Sequence, residues 1–377
     1  MRKDDRLTNS IDPNGFERSA QKARITLTDI AKAAGVSRAT VSLVLRDSPS
    51  IPRRTKEHVL QHAERLGYVY NRGAASLRTA KTNIVGLVIH DITNPYFAEI
   101  AAAIQRELAK YGRVAFLGDT GDSPDRQQAF IDTIREYFVD GIIMSPAAGT
   151  DPKWMAKLRD WRLPCVMVSR SLPDVPIDYV GGDNAGGMRE ATSHLISLGH
   201  RHIAMIGVNE SISTGRERLQ GYLQALRSAG LEVRTDLIVT CPATREAAHK
   251  ALIRLLRLPQ PPTAAVCFND VTAFGVMLAL QNLGLEVGKD FSVVGYDDVA
   301  EAVLWKPSLT TQRVEVELIG QRAVSLLIRR IQDWTAPVEN LVIPPSFQIR
   351  ETTAKPLSRR EAKKLRNAAN TWSRFPL

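Results

Sequence analysis

Apolar residues recur at helical spacing between residues 24 and 70, and this pattern predicts three short helices. Thr26 caps the first, which carries Leu27, Ile30, Ala31 and Ala34 and is broken at Ala34-Gly35-Val36. Ser37 caps the second, with Val41, Val44 and Leu45 on one side. Pro49 and Pro52 punctuate the chain before a third helix carrying Val59, Ala63 and Leu66. From residue 84 the texture changes. Short apolar runs at 84–89, 114–117, 141–144, 165–168, 203–206, 264–268 and 292–295 alternate with helical stretches at 99–110, 126–138, 184–198, 216–229 and 271–283. Runs that are apolar almost throughout are buried on both faces, as in a parallel sheet covered by helices, so this body is predicted to be α/β and doubly wound. Roughly 270 residues is long for one such sheet, and two lobes are expected. The expected divisions are a disordered tail at 1–23, the helical unit at 24–70, a connector at 71–82, the two-lobed body at 83–354 and a second tail at 355–377.

The spacing from Thr26 to Leu45 is that of a helix-turn-helix. Gly35 allows the left-handed backbone of a tight inter-helix turn, and Val36 fills the angle between the helices. In that geometry the second helix enters the DNA major groove by its N-terminus, which brings Arg38, Ala39 and Thr40 nearest the base edges. Arg38 would donate to guanine, while Ala39 or the Thr40 methyl would meet a thymine methyl. Thr26, Thr28, Ser37 and Ser42 would hold phosphates and set the register. On the pattern alone, a small three-helix bundle whose Ser and Thr residues only cap helices fits equally well.

Charge narrows the partners. The chain has 377 residues with 50 Lys/Arg against 40 Asp/Glu, a net +10. The excess is uneven: residues 1–82 carry 16 basic against 8 acidic residues, 83–354 carry 27 against 31, and 355–377 carry 7 against 1. Two basic ends on a slightly acidic body point to a polyanion, with nucleic acid and membrane lipid both open. Cys165, Cys241 and Cys267 stand far apart, which argues against a disulfide framework or zinc finger. No apolar leader or membrane-length apolar segment is apparent, so a soluble cytoplasmic protein without a membrane partner is expected. Catalytic signatures, metal-ligand spacing and a phosphate-loop ending are missing, so neither an enzyme, a cofactor nor a metal is expected. Val180-Gly181-Gly182-Asp183 reads as a strand-end turn, and His200 and His202 as surface or turn residues.

The ordered string Leu27-Thr28, Asp29-Ile30-Ala31, Ala34-Gly35-Val36-Ser37 and Thr40-Val41-Ser42, followed by Gly67-Tyr68 and Asn71-Arg72, resembles the DNA-binding headpiece and hinge of the lactose/galactose repressor family. The resemblance implies an N-terminal all-α helix-turn-helix headpiece and a hinge helix formed only when two subunits sit on an operator, with Asn71 and Arg72 on DNA and Leu77 wedged into the minor groove. Such a wedge unstacks a base step for about a few kcal/mol, recovered through wider contact. Leu43 departs from the pattern where some relatives carry a base-reading arginine, so no operator sequence is assigned.

The resemblance continues to about Thr353 through Asn94-Pro95-Tyr96-Phe97, Asp183-Asn184, Arg216-Glu217-Arg218, Phe268-Asn269-Asp270 and Gly295-Tyr296-Asp297-Asp298. These match an α/β two-lobed, periplasmic-binding-protein-like (type I) effector domain. It implies a small ligand between strand ends, with Tyr96 and Phe97 as a stacking wall, Arg218 as a donor, and Asn269 and Asp297 as hydrogen-bonding groups. Arg170 and Trp305 are further candidates. Ser169 stands where sugar-binding relatives often carry an acid, which leaves a sugar, a phosphorylated or a carboxylated ligand open. The resulting expectation is a ligand-responsive repressor bound as a dimer, or as a tetramer, to a pseudo-palindromic operator. A small-molecule carrier with the same body is the alternative.

Overall fold

In a computed structural model, which describes residues 25–68 and 82–357, the chain divides into a first unit ending at Thr79 and a second beginning at Ala80. In the first unit α1 (Leu27–Ala34), α2 (Arg38–Leu45) and α3 (Arg53–Arg65) surround a small apolar centre of Ile30, Val41, Val44 and Val59. Thr26 and Asp29 form a reciprocal capping box at the start of α1: the threonine hydroxyl takes the Asp29 N–H, and the aspartate takes the Thr26 N–H at 2.8 Å. Gly35 ends α1 at φ 63°, a left-handed conformation in which a side chain would be strained. Ser37 then caps α2, accepting the Thr40 N–H at 3.0 Å.

The second unit holds two six-stranded sheets. The first is built from β1 (Ile84–Ile89), β2 (Val114–Asp119), β3 (Gly141–Met144), β4 (Cys165–Val168), β5 (Asp178–Gly182) and β11 (Asn340–Ile343), in the order β11-β5-β4-β3-β1-β2, all parallel. The second contains β6 (Ile203–Val208), β7 (Ile238–Thr240), β8 (Ala264–Cys267), β9 (Ser292–Asp297), β10 (Thr310–Arg313) and β12 (Ser346–Gln348), in the order β12-β10-β9-β8-β6-β7, with only β12 antiparallel. In the first lobe α4 (Pro95–Lys110) and α12 (Val316–Gln332) cover one face, against Val85, Leu87 and Ile89, while α5 (Pro124–Glu136) and α6 (Pro152–Asp160) cover the other. Alternation along β1 explains this division, since successive side chains point to opposite faces. In the second lobe α7 (Asn184–Ser197), α8 (Ser213–Ser228), α9 (Arg245–Leu256) and α10 (Asp270–Asn282) play the same part, and the short α11 (Glu301–Leu304) follows β9.

The chain passes between the lobes three times, at 182–184, 313–316 and 343–346. Two sequence expectations change. Residues 178–182 are a buried strand rather than a turn, and Asp183 caps the helix that follows. His200 is not at the surface: it is 1% exposed, with its ring nitrogens on the Thr263 hydroxyl at 2.8 Å, the Ser292 hydroxyl and the Ala354 carbonyl.

Candidate functional site

In the helical unit the capping serine turns the N-terminal end of α2 outward. Arg38 and Ala39 are exposed there and Thr40 is half-buried, with its hydroxyl 2.9 Å from that of Ser37. The Arg38 guanidinium has no hydrogen bond or ion pair among the described residues. Thr26, Thr28 and Ser37 are exposed on the same unit and Ser42 is half-buried. A free guanidinium beside a helix N-terminus, ringed by hydroxyls, suits phosphate and base edges. Asn71, Arg72 and Leu77 lie outside the described residues.

In the second unit a cavity of about 790 Å³ lies between the carboxyl ends of the two sheets. Loops after parallel strands converge here for the topological reason that applies to open α/β sheets. Asn94 caps α4, accepting the Tyr96 N–H at 3.2 Å, and so sets Tyr96 and Phe97 in the first turn as an aromatic wall with ring centroids 4.9 Å apart. Burial pushes the Tyr96 phenol up to about 12, so it stays protonated. Three non-glycine lining residues hold strained backbone: Asp122 at φ 58° in the loop after β2, Ser169 at φ 62° after β4 and Asp297 at φ 120° at the end of β9.

Each arginine in the cavity already has a carboxylate. Arg170 grips Asp122 with both terminal nitrogens, Nη1 to Oδ1 at 2.6 Å and Nη2 to Oδ2 at 3.3 Å, and also donates to the Pro146 carbonyl. Burial opposes the Asp122 charge, yet Arg170 holds its carboxyl below the ordinary value. Arg218 donates to Asn184 Oδ1 at 2.9 Å and to the Phe268 carbonyl, and its Nη2 lies 3.5 Å from Asp297 Oδ1. Its guanidinium also sits 3.7 Å over the Tyr296 ring. Burial pushes the Asp297 carboxyl up to about 7, with Arg218 pulling the other way.

Of the candidates from sequence, Tyr96, Phe97, Arg170, Arg218, Asn269 and Asp297 all line this cavity. Asn269 has a second duty, since its Oδ1 caps α10 by accepting the Thr272 N–H at 3.0 Å. Trp305, the remaining candidate, is not among the residues lining this cavity; it is partly buried and lies flat on Phe274, centroids 4.9 Å apart and 8° from parallel. The pattern missed His90, Asp122 and Asn184. His90 follows the 84–89 run directly, which is the signal that would have found it; Asp122 lies in the loop beyond β2 and meets Arg170 only through the fold, and Asn184 faces Arg218 only because α7 and α8 pack together.

Comparison with known proteins agrees in both units. A family profile described as bacterial regulatory proteins, lacI family, matches residues 26–71, and one described as periplasmic binding proteins and sugar binding domain of LacI family matches residues 82–351. The HTH-type transcriptional repressor PurR of Mannheimia succiniciproducens is 31% identical, with 88% of this chain and 99% of that protein covered. The repressor CytR of Escherichia coli K12 is 32% identical over 83% of this chain and 91% of its own length. Among solved structures, a lac repressor dimer bound to operator and the anti-inducer ONPF is similar at a TM-score of 0.79 and 26% identity, covering 88% of this chain and 99% of that one. A transcriptional regulator CelR–cellobiose complex is similar at 0.67 and 32%, covering 87% and 100%.

Proposed function

Because this chain belongs to the lacI family of bacterial regulatory proteins, ligand-responsive DNA-binding transcriptional regulators without catalytic activity, we propose a division of its own residues between operator and effector. Residues 24–70 are the operator-binding headpiece, 71–82 the hinge, 83–354 the effector and dimer domain, and 1–23 and 355–377 basic tails. Arg38, Ala39 and Thr40 read base edges; Thr26, Thr28, Ser37, Ser42, Asn71 and Arg72 hold the backbone, and Leu77 is the minor-groove wedge. In the cleft Tyr96 and Phe97 stack on the effector, Arg170, Asn269 and Asp297 bond its polar groups, and Arg218 holds Asp297. The effector is a sugar or sugar derivative, as the cellobiose of the CelR complex is for that protein.

The dimer has a surface to offer. The edge strand β2 leaves Val114, Phe116 and Leu117 exposed, with Tyr137 on Phe116 at 6.0 Å, an unusual amount of apolar surface for a free sheet edge. A second copy would cover it, and a two-fold pair of headpieces would match a palindromic operator. A tetramer is a further state for sedimentation to resolve. The protein acts in the cytoplasm, on the nucleoid when bound.

The observation that supports this reading best is one chain with an exposed, capped reading helix in one unit and a two-lobed cavity walled by aromatics and paired charges in another. Ligand and DNA then act on one linked equilibrium. Selection of genomic fragments by the purified protein tests it: enrichment of a pseudo-palindrome, altered by a metabolite extract, is expected. No preference over bulk competitor DNA, with or without the extract, would refute it.

A further inference from the structure

The cavity has more carboxylates than free cations. Asp91 and Asp119 line it and form no ion pair among the described residues; their oxygens take only nearby N–H and hydroxyl groups, Thr93 on Asp91 and Gly121 and Ile92 on Asp119. Both arginines are matched, Arg170 by Asp122 and Arg218 by Asp297 and the Phe268 carbonyl. The balance of charge on the lining is therefore negative whether or not Asp297 holds its proton.

A second observation concerns His90, which follows β1 onto the cavity floor. It is 6% exposed and packs edge-on against Phe97 with centroids 4.0 Å apart, and its Nδ1 has no hydrogen-bond partner. Burial and the neighbouring Arg170 depress its pKa to about 3, so the ring is neutral and adds no positive charge. An unsatisfied buried nitrogen beside the aromatic wall is a place for a ligand hydroxyl or for a water that such a hydroxyl would displace.

Resting on the effector reading above, we propose that this cleft selects by charge: it takes an uncharged or cationic polyhydroxylated molecule and refuses phosphorylated and carboxylated ones, with Asp122 closing Arg170 to anions. A phosphate or carboxylate entering here would meet Asp91 and Asp119 and would have to displace Asp122 from a two-pronged hydrogen bond, and like charges brought together in a desolvated site are strongly disfavoured.

His90 reports on the site directly. The full chain labelled with ¹³C at histidine, the His90 ring signal assigned with His90→Gln, is titrated at constant ionic strength with inorganic phosphate, D-ribose 5-phosphate and D-glucuronate. D-ribose, cellobiose and D-glucosamine form the matched set. In the wild type no anion should move the His90 signal saturably, and any shift should be confined to the matched set. In Asp122→Asn, phosphate should move it, at least about tenfold tighter than in the wild type. Should Asp122→Asn not fold, Asp119→Asn is the second variant, with the same gain expected in smaller measure. Saturable movement by any of the three anions in the wild type overturns the proposal. So does a folded Asp122→Asn that gains no phosphate response, because pairing would then not be what closes the site. Either result leaves operator recognition and an effector cleft standing, which the fragment selection tests separately.

Discussion

Arg218 and Asp297 meet at the end of β9, Nη2 3.5 Å from Oδ1, with both side chains more than nine-tenths buried. Neither is free to serve the effector alone. The arginine is fixed between Asn184, the Phe268 carbonyl and the Tyr296 ring, so it orients the carboxylate rather than reaching into the cavity as a loose donor.

Arg218→Ala should therefore do more than blunt the effector response. It leaves a buried carboxylate and an Asn184 oxygen without their partner, and loss of one member of such a pair costs about 3–5 kcal/mol. Urea unfolding of the variant should show that loss, and Asp297→Asn in the same chain should recover part of it. Wild-type stability in Arg218→Ala would mean the pair contributes nothing to the fold.

The same carboxyl makes stability depend on pH with a definite sign. In the folded chain Asp297 keeps its proton up to about 7, mainly through burial. The unfolded chain releases it near ~3.9, so this contribution is complete below that value and is lost as pH climbs through about 7. His90 works oppositely, losing stability as pH falls from the ordinary histidine range toward about 3, but it does so equally with and without Asp297. Melting curves of wild type and Asp297→Asn from pH 5 to 8 should diverge, the wild type declining more. Parallel curves would show that Asp297 ionises normally.

In the headpiece, stability and recognition should separate between adjacent residues. Ser37→Ala removes the cap of α2 and should destabilise the unit by about 1 kcal/mol. Arg38→Ala removes an exposed side chain without a partner among the described residues, so melting should hold while discrimination between operator and random DNA falls by about 1–3 kcal/mol at fixed salt. An unchanged ratio would take Arg38 out of the reading helix.

Phe116→Glu places a charge on the exposed edge of β2. If a second copy covers that strand, sedimentation should show the dimer constant weakened at least about tenfold, with operator affinity falling in step. A dimer as tight as the wild type would locate the interface elsewhere.

Trp305→Leu separates packing from binding. The stacked contact with Phe274 should make the variant less stable by about 1–3 kcal/mol, while effector affinity measured by calorimetry stays unchanged. A large loss of affinity in a stable variant would return Trp305 to the cleft.

The amino-acid pattern alone was enough for the kind of fold, the three headpiece helices and seven of the strands, but not for β5, which it read as a turn, nor for the helices at 152–160, 245–256 and 316–332. The helical period of residues 24–70 and the unbroken apolar runs of 84–89 or 141–144 depend on local side-chain chemistry, and burial on one face or on two leaves its mark directly in residue type. Capping residues Thr26 and Ser37 were legible for the same reason, since each answers donors within three residues of itself. The headpiece could be drawn almost whole because its candidate contacts all lie within 17 residues of sequence.

What required the folded molecule was every relation between strand ends far apart in the chain. Arg170 with Asp122, Arg218 with Asn184 and Asp297, and Trp305 on Phe274 are set by strand order and helix packing. The buried state of His200 depends on partners 63 to 154 residues away. A one-dimensional pattern records which side chains shun water, but not which polar groups neutralise one another once water is gone, and that pairing decides the chemistry of the cleft.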